Sequence, residues 1–238
     1  MAKSVFETGG CPTCRAPQFS FDTVDLLSTA YTHGDIEKAR HLLESSTYHS
    51  SRDIFDRTPL IRAAQHSERE VIHLLVEHGP SVTQEDMYHQ TAICWASKEG
   101  HTDAIEELLL AGADISYLDS EGQTLLHLAV KSGSEETAAL LLATGVAGSA
   151  TDLEGVTALH LAARDGSKEF INLLIDNGAE TAAKDNLGRT PLHYCAELGY
   201  GAATKLLVDR GSSLSAKDNA GRGGQLVSWP KRLEVTAQ

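Results

Sequence analysis

Thr58, Thr91, Thr124, Thr157 and Thr190 stand 33 residues apart, with no insertion or deletion between them. An Asp precedes each by five residues (Asp53, Asp86, Asp119, Asp152, Asp185), and Asp218 continues the step. A Gly follows each Thr by 21 residues (Gly79, Gly112, Gly145, Gly178, Gly211). Several positions repeating together at this period mark one structural unit copied along the chain. A unit so short cannot bury its apolar face alone, so the copies are expected to stack, each touching only its neighbours in one elongated domain.

The copy from Asp185 to Lys217 is the clearest. Thr190 is suited to cap a helix N-terminus, and Pro191 falls at the first helical position, where its missing N–H costs nothing. Leu192 and Cys195 place apolar atoms on one side of this helix, and Gly199 can take the left-handed conformation that ends it. In a second helix Leu206, Leu207 and Val208 supply the expected buried stripe, and Gly211 closes it. The unit reads as turn, helix, helix, loop, so the predicted fold class is all-α.

The run Asp-x-x-Gly-x-Thr-Pro-Leu-His, then Ala-Ala-x-x-Gly, then Leu-Leu-x-x-Gly-Ala resembles the ankyrin repeat. Leu159-His160-Leu161-Ala162-Ala163 and Asn177-Gly178-Ala179 lie close to that family's consensus, while Thr-Ala-Ile-Cys at 91–94 and Thr-Leu-Leu-His at 124–127 depart from it but keep the frame. The resemblance implies an α-solenoid of stacked helix-turn-helix repeats with β-hairpin-like loops over about residues 22–222. Five full repeats are expected at 53–85, 86–118, 119–151, 152–184 and 185–217, with a partial one at 218–222.

A degenerate first repeat is expected at about 22–52, because Asp25 lies one period before Thr58 and Leu27, Ala30, Gly34 and Leu42 fall in register. Glu37, Lys38 and Arg40 suit the polar outer face of a terminal repeat. After Arg222 the frame asks for Thr-Pro-Leu-His, but the chain reads Gly223-Gly224-Gln225-Leu226. Either the 223–238 tail folds back through Leu226, Val227, Trp229 and Leu233 as an improvised cap, or the array is a truncated version of a longer one; truncation is the favoured reading. An uncapped end would expose a sizeable apolar patch.

The formal net charge of −13 disfavours a nucleic-acid backbone as partner. Eleven acidic residues lie between Glu85 and Ala150 against Lys98 and Lys131 alone. Asp103, Glu106, Glu107, Glu135 and Glu136 fall on expected outer helices, where they form a solvated face or, less simply, steer a basic partner. No apolar run approaches the roughly 18 residues of a membrane span, and Met1–Gly10 has no hydrophobic signal core. A cytoplasmic or nuclear protein that engages no membrane is expected. Cys94 and Cys195, at inner-helix positions, read as small buried hydrophobes of a reducing compartment.

Cys11-Pro12-Thr13-Cys14 has the spacing of half a zinc site, but no second ligand pair follows. Residues 1–21 are therefore read as a disordered tail without metal. His127, His160 and His193 recur at the repeat period, and in the resembled family such a His ties neighbouring turns by hydrogen bonds. The chain contains no Gly-x-Ser-x-Gly, phosphate-binding loop or His-Glu-x-x-His. No catalytic residue, cofactor site or metal ligand is predicted, and the chain is not expected to be an enzyme. The family's hydroxylatable loop asparagine is replaced by Thr83, Ser116, Ser149, Ala182 and Ser215, so that modification is not expected either.

The resemblance implies that partners contact the turn tips and the first helices along a concave side. The second and third repeats place Ile54, Phe55 and Arg57, then Met87, Tyr88, His89 and Gln90, at the tips, with Arg62 and Trp95 four residues past their Thr. The next two copies carry Ser120, Glu121 and Gln123, then Leu153, Glu154 and Val156. Aromatic and Arg side chains dominate interface energies, so a cluster of Phe55, Tyr88 and Trp95 is the candidate binding surface. The competing reading packs Trp95 between repeats, as Leu128 and Leu161 would pack, and uses Phe55 to fill a turn in which Asp56, like His89 in the next, replaces Gly. The expected function is that of a monomeric, non-enzymatic protein-protein interaction module, an adaptor, scaffold or inhibitor. The alternative is the truncated array of a larger multidomain regulator, such as a ubiquitin-ligase adaptor or sensor protein.

Overall fold

The computed structural model describes residues 40–41, 52–78 and 81–223. The Cys11/Cys14 tail, most of the expected first repeat and the expected cap at Leu226–Leu233 lie outside the described residues. The chain divides into two compact units, Met1–Ile115 and Ser116–Gln238. In the first, the described residues form α1 (Pro59–Gln65), α2 (Arg69–Glu77), α3 (Ala92–Glu99) and α4 (Thr102–Leu110). The second holds α5 (Leu125–Ser132), α6 (Glu135–Ala143), α7 (Ala158–Asp165), α8 (Lys168–Asp176), α9 (Pro191–Leu198) and α10 (Gly201–Asp209). Among the described residues there is no strand, only the isolated antiparallel bridges Leu118 with Thr124, Thr151 with Thr157 and Lys217 with Gly223. The fold is an all-α repeat solenoid.

Each frame Thr is the N-cap of a first helix. The hydroxyl of Thr58 accepts from Ile61 N–H at 3.2 Å, and those of Thr124 and Thr157 accept from His127 and His160 N–H at 3.4 Å. At Thr91, where Cys94 replaces the His, the hydroxyl meets Cys94 Sγ at 3.2 Å instead. The α3, α5, α7 and α9 helices end on left-handed Gly100, Gly133, Gly166 and Gly199. In the 53–85 repeat Ser67 stands where the four that follow have Gly, and it adopts φ 57°.

Seven- to nine-residue helices are too short to persist alone, so packing must hold them. In the first unit α1 packs on α2 and α3, α2 on α4, and α3 on α4. Leu60, Ile61, Ile72, Leu75, Ile93, Ile105 and Leu108 are sealed between them. In the second, α5, α7 and α9 form one layer and α6, α8 and α10 the other, around Leu125, Leu126, Leu141, Leu159, Ile171, Leu174, Leu192 and Leu207. Each such side chain contributes about 1.5–3 kcal/mol by leaving water. The expected stripe on α10 is corrected: Ala203, Thr204 and Leu207 are buried, whereas Leu206 and Val208 are only half-buried, as are Leu173 and Ile175 at the same positions of α8, because a second helix of the repeat turns only one narrow face to the core.

The histidines tie one turn to the next. Nδ1 of His127, His160 and His193 accepts from the backbone N–H of its own N-cap Thr at 3.2, 3.1 and 3.0 Å. That leaves the proton on Nε2, which donates to the carbonyls of Val156, Arg189 and Arg222 at 3.0, 3.0 and 3.1 Å. The expected acidic face needs correction at Glu107. Its side chain is 13% exposed and accepts from Arg69 Nε at 2.9 Å, while Arg69 also lies 3.9 Å from Asp103 and 3.8 Å from Glu106.

Candidate protein-interaction surface

All six frame aspartates fold their turns the same way. The Oδ1 atom accepts two backbone N–H bonds, from the residues two and four positions on, as Asp53 does from Phe55 and Arg57 at 2.9 Å. The same pair recurs at Asp86, Asp119, Asp152, Asp185 and Asp218. The turn tip therefore has a rigid backbone, and its remaining oxygen, Oδ2, is free to organise side chains. At Asp53, Asp185 and Asp218 it accepts from Nε of Arg57, Arg189 and Arg222 at 2.8, 2.8 and 2.7 Å. At Asp86 the donor is the Trp95 indole, at 2.8 Å.

These bonds set what the first unit presents. Ile54 is 73% exposed, Met87 55% and Tyr88 52%, with Phe55 at the edge of exposure. The two tips are joined by Met87 N–H donating to the Phe55 carbonyl at 3.1 Å. The Arg57 guanidinium lies 4.8 Å from the Phe55 ring centre and 6.0 Å from that of Trp95, whose other cation neighbour is Lys98 at 4.8 Å. Cation–ring contacts of this kind contribute about 0.5–1 kcal/mol each near the surface.

The structure thus brings Phe55, Arg57 and Trp95 together. Arg57, read from the sequence as a displayed tip residue, is instead buried, bound to Asp53 and donating to Gln65 Oε1 at 2.8 Å. Gln90, Arg62 and Trp95 are half-buried. His89 is exposed at φ 57° and bonds Glu85 at 3.0 Å. Sequence reasoning missed Asp86, Gln65 and Lys98 as the groups that hold the cluster. The one available signal was Gln90 in the position that carries Arg in the preceding turn, which leaves Asp86 Oδ2 to another donor.

The second unit presents a more polar surface. Between the 119–123 and 152–156 turns and α7 and α9 runs a groove of about 490 Å³, lined by Glu121, Asp152, Leu153, Glu154, Arg164 and Tyr194 among others. At one end Tyr194 donates to Asp185 Oδ2 at 2.8 Å and accepts from Arg189 at 2.7 Å. Burial pushes the Tyr194 hydroxyl pKa up, and the Asp185 bond adds to the shift. Burial alone would raise Asp185 too, but hydrogen bonds from the Arg189 N–H, Tyr194 and the Arg189 guanidinium outweigh it and hold the carboxyl below its ordinary value. Among the described residues no group of His, Cys, Asp or Glu is placed to hold a metal, and no helix is long and apolar enough to cross a membrane.

Short helix pairs joined by rigid Asp-anchored turns, with side chains displayed at the tips, define a helical repeat protein built to present a surface. The family model described as "Ankyrin repeats (3 copies)" matches residues 26–119, 83–152 and 126–218, and the chain belongs to the ankyrin-repeat family. A search of curated protein sequences returned no match. Among solved structures 564 chains match. One is the crystal structure of the ankyrin repeat domain of Bcl-3, described as a unique member of the IkappaB protein family. It is 26% identical, with a TM-score of 0.74 over 83% of this chain and 91% of that one. Ankyrin repeats are in general non-enzymatic, and the chain is a protein-interaction module.

Proposed function

We propose that this chain is a non-enzymatic adaptor or scaffold that binds a protein partner through its amino-terminal turn tips, with Ile54, Phe55, Met87 and Tyr88 as the contacting side chains. The observation that carries this reading is the exposure of four large apolar residues on two consecutive turns whose backbones are bonded through Met87 and Phe55. Displayed apolar and aromatic groups on a preorganised backbone lose little entropy on binding. Trp95 and Arg57 act beneath them as supports, the one held by Asp86 and the other by Asp53. A cytoplasmic or nuclear location and a monomeric state accompany the proposal.

The test is quantitative affinity purification from the native cell type, comparing the intact chain with a Phe55→Ala/Met87→Ala/Tyr88→Ala variant of equal helical content. Trp95 is left intact because its bond to Asp86 is part of the turn. Loss of a stoichiometric partner from the variant supports the reading; full retention of every partner sinks it.

A further inference from the structure

The six frame aspartates differ in what meets Oδ2. Four have a side-chain donor there: Asp53, Asp185 and Asp218 have Arg, and Asp86 has Trp95. Among the described residues Asp119 and Asp152 have none; each uses only Oδ1, for the two turn N–H groups. In the Asp152 turn the position that holds Arg57, Arg189 and Arg222 elsewhere is occupied by Val156, which is buried and cannot donate. Asp119 does not line the groove of about 490 Å³ described above, but Asp152 does.

The charges of that groove are unevenly answered. Arg189 is bound to Asp185 and Tyr194, Lys131 lies 3.9 Å from Glu121, and Arg164 lies 3.8 Å from Asp165. Among the described residues no cation forms an ion pair with Asp152 or Glu154. Beside them Leu153 is 72% exposed and suits the alkyl stem of an arginine.

We propose that this groove is a second recognition site, in which an arginine side chain of a protein partner binds Asp152 Oδ2 and Glu154, taking the part that Arg57, Arg189 and Arg222 play within their own turns. The guest is arginine rather than lysine because a planar fork of donors can bridge two carboxylates, which a single ammonium does less well. The site is independent of the Phe55, Met87 and Tyr88 surface, and either can be wrong without the other.

The test is selection of a displayed library of linear 12-residue peptides against the full chain, followed by affinity measurement of the enriched peptides. The expected peptides share an arginine at one fixed position. Its replacement by Lys, and the protein substitution Asp152→Asn, each weaken binding roughly tenfold or more, the scale of one charge-assisted bond. Asn keeps an oxygen for the two turn N–H groups, so the turn survives. A second variant, Val156→Arg, supplies the arginine from within, as three sister turns do, and is expected to abolish peptide binding while keeping helical content. The Phe55→Ala/Met87→Ala/Tyr88→Ala variant leaves these peptides bound. Enrichment of no peptide, enrichment without a fixed arginine, or binding that survives Val156→Arg overturns the proposal. Peptides lost only from the triple-alanine variant overturn it too, while supporting the amino-terminal surface.

Discussion

The Trp95 indole N–H donates to Asp86 Oδ2 at 2.8 Å, the oxygen that arginine holds in three other turns of the chain. One aromatic side chain thereby fastens a first helix to its own turn and also forms a floor for Arg57 and Lys98. The two sequence readings of Trp95, display and internal packing, converge in a half-buried ring whose polar edge is structural.

Replacing Trp95 with Phe keeps most of the apolar area but strips a donor from Asp86, which is 4% exposed. The expected loss is about 1–3 kcal/mol, the scale of a hydrogen bond to a buried charged group. Urea denaturation of the two proteins measures it, and an unchanged midpoint would show that Asp86 finds another donor.

Ser67 and His89 adopt φ 57° where other copies carry left-handed Gly. Relief of that conformation outweighs glycine's greater chain entropy, so Ser67→Gly and His89→Gly should each stabilise by about 0.5–1 kcal/mol. The two sites share no bond and should add. A thermal melt of the double variant below that of the parent contradicts this account.

Burial lowers the pKa of His127 and His160 from the ordinary 6.5, and each is fixed as the neutral tautomer that donates to the next turn. Well above pH 6.5 both folded and unfolded chains are neutral there, and the stabilisation is complete. As pH falls through 6.5 the unfolded chain takes up protons that the folded chain refuses, so stability declines toward acid. Urea midpoints at pH 7.5 and 5.5 should differ more for the parent than for His127→Gln/His160→Gln, whose glutamines can serve the same capping position without titrating. Equal slopes would refute the assignment.

Leu141 is fully enclosed in α6, so Leu141→Ala should cost about 2–5 kcal/mol by lost transfer energy and the cavity left behind. Calorimetry gives the answer directly; unchanged melting would mean the site collapses without loss.

Burial pushes the Cys195 thiol pKa up to about 12, and its Sγ lies 3.2 Å from the Ala163 carbonyl. It should resist alkylation by iodoacetamide at pH 8 until the chain unfolds, because the thiolate is the reacting species. Mass spectrometry of peptides spanning Cys195 reads this, and rapid labelling of the native chain would contradict it.

The 33-residue step carried the fold class, because a repeat repeats its local rules: Thr at the cap, Pro at the first helical position and Gly at the left-handed end each act over only a few bonds. These are legible in one dimension, and Thr190, Pro191 and Gly199 take in the structure the positions that their spacing predicts, whereas the tie from His193 to the Arg222 carbonyl was implied by the family resemblance. Only the tertiary structure decided which displayed residues remain displayed. Arg57 looked like a surface cation until Asp53 and Gln65 drew it inward, and Glu107 looked solvated until Arg69 reached it from a neighbouring helix. The same holds for Oδ2 of Asp152: whether a frame aspartate is satisfied depends on which side chains reach it in space, since identical turns recruit arginine, tryptophan or, among the described residues, no side chain. Helix caps and turns are set by neighbours along the chain, whereas the pairing of charges and the shape of a groove are set by neighbours across it.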